Sequence, residues 1–168
     1  MKKTAVIVET RKHKALDFVL NNVMTILPTD WNLQIFHGLN NLQYINNIID
    51  DNSLLTSIKE KITFTNLNIE NVTQEESSEI MLSEQFWNSV KGDIILYFEC
   101  DSMLCPNSKY KIDDFIHFDY IGGYWGNMLY ELDTQYPVVM NGFHLFLIIS
   151  SINCFFLIET PPFITTGY

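Results

Sequence analysis

The pentapeptide Ile94–Phe98 is apolar at every position, and no other stretch narrows the fold as far. A strand with two apolar faces must be covered on both. That places it within a mostly parallel sheet layered by helices, not in a half-exposed antiparallel one. Thr4–Val8 has the same β-branched, apolar character and runs into Glu9-Thr10-Arg11. Ala15, Leu16, Val19, Val23, Ile26 and Leu27 then fall on one helical face, and Pro28 stops the run. Leu33–Phe36 predicts a second strand, ended by His37-Gly38, and Leu42, Ile45, Ile48 and Ile49 predict the next amphipathic helix. A short helix over Ser53–Lys61 and a third strand over Ile62–Ile69 follow. A single helix through Ile80, Met81, Phe86, Trp87 and Val90 is expected next, with Ser77 or Ser78 as its cap. Strands alternating with helices over short connections give an α/β class with a Rossmann-like, mostly parallel sheet, in which ligands bind beyond the carboxyl ends of the strands.

Composition supports one domain with a real core: 168 residues, 47% of them hydrophobic and 18% charged, exclude a disordered, collagenous or coiled-coil chain. Ten Lys and Arg against twenty Asp and Glu argue against nucleic acid as a partner, because phosphate backbones are met by clustered cations. The charge is uneven. All ten bases lie at or before Lys111, and residues 112–168 contain six acids and no Lys or Arg. Cys100, Cys105 and Cys154 have no C-x-x-C spacing, so neither a disulfide framework nor a zinc knuckle is indicated, and a reducing, cytoplasmic setting is expected. The apolar run Ala5–Val8 is too short for a secretory signal.

If ligands bind beyond the strand ends, Glu9-Thr10-Arg11 and Glu99-Cys100-Asp101-Ser102 are the segments to meet them. Glu99 and Asp101 sit two apart on an extended segment, so they share a side and can together hold a hard divalent cation that also binds a diphosphate. The same spacing is met where a strand end merely reaches water. Arg11 likewise reads either as a phosphate ligand or as a solvated turn residue beside Lys12 and Lys14.

Several runs then carry a resemblance. They are Ala5-Val6-Ile7-Val8-Glu9-Thr10-Arg11-x-His13, Trp31-x-Leu33-Gln34-Ile35-Phe36-His37-Gly38, Phe86-Trp87 and Phe98-x-x-Asp101-Ser102-x-Leu104-Cys105, and lastly Ile112-Asp113-Asp114-Phe115-x-x-x-Asp119-Tyr120-Ile121-Gly122-x-x-Trp125. In this order they resemble a family of unknown function that is itself similar to GT-A glycosyltransferases. The resemblance spans residues 3–142 and implies a GT-A nucleotide-sugar-binding fold, incomplete at its C-terminal side. It implies a glycosyl transfer from a nucleotide-sugar donor to an unknown acceptor, with a divalent cation, manganese or magnesium. Thr10 or Arg11 would meet the nucleotide or its phosphates, and Asp101 would be the acid of a D-x-D-type metal site with Glu99 the lesser ligand. Ser102 falls in the same loop, Gly122 would permit close backbone approach, and Trp125 would pack on the sugar or in the core. Asp113 and Asp114 would cap a helix.

After Gly142 the resemblance ends. Family members continue with a Ser-Leu-Arg strand and an acidic segment suited to a catalytic base. Here Phe143–Ile158 is nearly all apolar, so residues 1–142 are expected to form the glycosyltransferase-like domain and 143–168 a divergent tail. The favoured reading is a frameshifted or truncated end. A membrane anchor is the second reading, though about 16 residues fall short of the roughly 20 a bilayer needs, and membrane association is not expected. The third is a hairpin or helix that completes the sheet. A chain without the base would be an inactive remnant or interaction protein, so the catalytic residues stay open.

Overall fold

A computed structural model describes residues 1–118, 120–121 and 144–147. The two apolar runs lie side by side at its centre. Strand β1 (Lys3–Glu9) pairs in parallel with β4 (Ile94–Phe98) on one side and with β2 (Trp31–His37) on the other, and β2 pairs in parallel with β3 (Ile62–Asn66). Two further strands, β5 (Tyr120–Ile121) and β6 (His144–Leu147), extend the sheet beyond β4 as antiparallel neighbours, giving the order β3-β2-β1-β4-β6-β5. β6 comes from the first residues of the apolar segment that follows Gly142; Gly122, Trp125 and residues 148–168 lie outside the described residues.

Alternation along the strands assigns each side chain to a layer. Ala5 and Ile7 of β1, Leu33 and Ile35 of β2, and Ile94, Leu96 and Phe98 of β4 face one core. Helices α1 (Leu16–Ile26), α2 (Leu42–Asp51) and α3 (Ser53–Ser57) fill that core with Leu16, Val19, Leu20, Val23, Ile45, Ile49 and Leu55. Val6, Phe36, Ile95 and Tyr97 face the opposite core, closed by Phe86 and Val90. Phe36 and Phe86 pack there with their rings tilted by 43° and 4.7 Å between centroids. Each fully buried Leu, Ile or Phe contributes on the order of 1.5–3 kcal/mol, so both layers add substantially. All five residues of β4 are buried, as its apolar pattern requires.

The expected helix between β3 and β4 is two helices. α4 (Gln74–Leu82) begins at Thr73, whose hydroxyl accepts the Glu76 amide at 3.2 Å while the Glu76 carboxylate accepts the Thr73 amide at 2.8 Å. This reciprocal capping box fixes the start well before Ser77, so Ser77 and Ser78 are helical residues and not caps. Ser83 then ends α4 and caps α5 (Glu84–Ser89), its hydroxyl accepting the Phe86 amide at 3.2 Å. The third strand stops at Asn66, short of Ile69, because the Asn66 side chain accepts the Asn68 amide at 2.8 Å and Asn68 takes φ 59°, a turn Asn tolerates. Asp113 and Asp114 lie in a 3-10 turn, Ile112–Asp114. Asp114 accepts the Lys111 amide at 2.7 Å, and Asp113 instead pairs with Lys3 at 2.9 Å. Among the described residues no helix is long and apolar enough to cross a membrane.

Candidate functional site

The chain passes from β1 outward to β2 and β3, then returns across β1 to β4. The connections that follow the parallel strands β1 and β4 lead to opposite sides of this boundary, so a crevice opens at their carboxyl ends. A cavity of about 420 Å³ occupies it. Its floor is Val8 to Arg11 with His13 from the β1 loop, and Tyr97, Glu99, Cys100 and Asp101 from β4; Val72, Thr73 and Ser77 at the start of α4 form the far wall.

The β1 loop is held from below. Asn41, buried before α2, donates to the Glu9 carbonyl at 2.7 Å and the Arg11 carbonyl at 3.1 Å, while its side-chain oxygen accepts the Gly38 amide at 2.9 Å. Gly38 is needed because a Cβ there would lie 2.7 Å from the Ile69 carbonyl oxygen and 3.0 Å from Thr10 Cβ. Tyr44 donates to the His13 carbonyl at 3.0 Å, and the Thr10 hydroxyl accepts the Val72 amide at 3.1 Å, joining floor to wall. The β4 loop is fixed by Asn22 of α1, which donates to the Leu104 carbonyl at 3.1 Å and accepts the Leu104 amide at 2.8 Å.

Charge is arranged with equal definition. Glu9 is only 3% exposed, and Arg11 engages its carboxylate through the backbone amide at 2.8 Å, Nε at 2.9 Å and Nη2 at 3.0 Å. Burial pushes the Glu9 carboxyl up, but the bonds from Arg11 and from the Cys100 thiol outweigh it and hold the group below its ordinary range. Glu99 is the opposite case. Burial, then the neighbouring Asp101 charge, push it up to about 7, against a lowering hydrogen bond with Tyr97. Burial, then the Glu9 charge, raise the Cys100 thiol far above its usual value. The cavity lining thus carries three carboxyl groups and one guanidinium.

Of the residues singled out in the sequence, Thr10, Arg11, Glu99 and Asp101 meet in this cavity. Ser102 is buried beside it, where its hydroxyl accepts the Glu99 amide at 3.4 Å and its own amide donates to the Glu99 carbonyl at 3.1 Å, closing the turn that presents Asp101. Gly122 and Trp125 lie outside the described residues. Sequence reasoning gave no role to His13, Tyr97, Cys100 or the α4 start. The parallel register was the missing signal: Ile7 pairs with Phe98, so two residues on Glu9 comes beside Cys100.

A family model described as "Protein of unknown function (DUF5672)" matches residues 61–147, ending just past Gly142. No curated protein matches the sequence. Among solved structures, the chain is similar to residues 1–349 of TarS from S. aureus, with a TM-score of 0.51 and 13% identity over 73% of this chain and 35% of that one. It is also similar to the apo-form glycosyltransferase GlyE of Streptococcus pneumoniae TIGR4, with a TM-score of 0.51 and 8% identity over 88% of this chain and 34% of that one. The chain therefore spans about a third of the length of these solved chains. The likeness shows the fold: a Rossmann-like α/β sheet of the GT-A glycosyltransferase type.

Proposed function

The chain belongs to the DUF5672 family, and on that premise we propose that it binds a nucleotide-sugar donor in the β1/β4 cavity with a hard divalent cation and transfers the glycosyl group to an acceptor. The observation that carries this reading is the coincidence of the cavity with the sheet's topological switch point, where α/β folds bind nucleotides. The glycosyltransferase fold of the structural neighbours supports it.

The donor set suits manganese or magnesium. Asp101 and Glu99 offer carboxylate oxygens, and a cation would offset both the burial and, after it, the Asp101 charge that raise Glu99. Three carboxyl groups would otherwise repel a diphosphate. A bound cation supplies neutralisation of that diphosphate as its charge grows on leaving. Arg11 is exposed on its cavity side and offers a guanidinium edge to a phosphate, while its bonds to Glu9 hold it in place. Thr10 in the floor and the α4 start in the wall bound the space in which the donor lies.

Calorimetry with nucleoside diphosphates and manganese tests the reading. Binding that requires manganese and is lost in Asp101→Ala is expected; no binding by the intact chain overturns it. Sugar-nucleotide hydrolysis or transfer, abolished by the same substitution, separates a transferase from an interaction protein that keeps the fold without turnover.

A further inference from the structure

We propose that Glu9, His13 and Cys100 form a second metal site in the same crevice, selective for a thiophilic divalent cation, with zinc as the expected occupant. One ligand atom from each of the three, a carboxylate oxygen, an imidazole nitrogen and the thiol sulfur, lies within 4.8 Å of the others. A tetrahedral zinc ion with bonds of about 2.0–2.3 Å keeps its ligand atoms about 3.3–3.8 Å apart, so closure asks only for a small inward movement of side chains. Three protein ligands leave a fourth position, and it opens on the cavity that these residues line.

The fold separates this set from Glu99. Along β1 and β4, Ile7 and Phe98 face the α1 layer, and Glu9 and Cys100, two residues further on each strand, continue that face; Cys100 packs against the same core. Tyr97 belongs to the opposite layer, and Glu99 follows it there. Glu99 and the mixed sulfur, nitrogen and oxygen set are therefore on different faces, and the proposal stands independently of the nucleotide-sugar reading.

Local chemistry fits exchange of a proton for a metal. The Cys100 sulfur lies within 4.8 Å of a Glu9 carboxylate oxygen. On metal uptake the thiol proton leaves to solvent, a sulfur–metal bond forms, and a carboxylate lone pair of Glu9 turns to the same ion. Glu9 keeps its bonds from Arg11, which hold the carboxylate in place as outer partners of metal ligands do. Among the described residues His13 Nδ1 accepts one bond, from the Ala15 amide at 3.3 Å, long for such a bond, so a small turn of the ring brings a nitrogen to the ion. A thiolate in the donor set favours zinc over magnesium or manganese.

Titration of the full chain with cobalt(II) under reducing, oxygen-free conditions tests the site, because a cysteine ligand gives a thiolate-to-cobalt charge-transfer band in the near ultraviolet. The expected result is one such band per chain, bleached by zinc, lost in Cys100→Ser and retained in Cys105→Ser, Cys154→Ser and Asp101→Asn. His13→Ala should weaken cobalt binding about tenfold or more, since even outer-shell partners cost that much when lost. Cobalt binding without the band, or a band that survives Cys100→Ser, overturns the proposal; a band lost in Asp101→Asn overturns the separation of the two sites. Failure of nucleotide binding with the band intact would count against the donor reading alone.

Discussion

Arg11 grips the carboxylate of Glu9, two residues before it, with three donors at 2.8, 2.9 and 3.0 Å. The pair is unequal: the Glu9 side chain is 3% exposed and that of Arg11 60%. Its value lies less in exposed Coulomb attraction, which solvent weakens, than in satisfying a buried anion.

Arg11→Ala should therefore cost about 1–3 kcal/mol, the penalty for a buried charged group stripped of partners. The sign with pH follows. Glu9 is held below its ordinary value of 4.5, so its contribution is present above that value and lost as pH falls through the folded-state value. Urea unfolding of both forms should show the gap between them narrowing as the solution is acidified below that point.

Glu99 should act in the opposite direction. With its folded-state value pushed up to about 7 from 4.5, the native state binds a proton more tightly than the unfolded chain, and stability falls as pH rises between those values. Glu99→Gln should flatten this part of the urea-midpoint profile. An unchanged slope would assign it to other groups.

At Gly38 a methyl group would meet backbone: the Ile69 oxygen at 2.7 Å and the Thr10 oxygen at 3.1 Å. Gly38→Ala should destabilise the fold by about 1–3 kcal/mol, as overpacking does. It should also displace Thr10, so nucleotide affinity is expected to fall along with the thermal midpoint.

Asn22→Ala removes both bonds that tie the Leu104 backbone to α1. A loss of about 1–3 kcal/mol is expected from two backbone groups losing their partner. Limited proteolysis should then cut between Asp101 and Lys111 sooner than in the unaltered chain, with the β1 loop still protected.

Much of the fold was legible in the sequence because its central strands are apolar on both faces and its first two helices have sharp periodicity. β1, β2 and β4 arise where those runs predict them, and Pro28 follows α1 closely. The break at Ser83 was hidden, since Ile80, Phe86 and Trp87 keep helical spacing across it while the serine's double role as stop and cap depends on geometry. Thr10, Arg11, Glu99 and Asp101, which the rule that ligands meet strand ends singled out, line one cavity. Asn41 and His13 drew no role because the partners of their side chains are backbone groups, which leave no mark in residue type. Cys100 escaped because its neighbour Glu9 is distant in the chain and adjacent only through the β1/β4 register.

The pairing of β4 with β6 sets an order of events at synthesis. The four parallel strands leave the ribosome before His144–Leu147 does, so Ile94–Phe98 waits with one edge unpaired and entirely apolar. Such an edge is a template for strands of other chains. The short antiparallel strand thus acts as a seal against aggregation, and the nascent chain is most exposed to misassembly in the interval before it arrives.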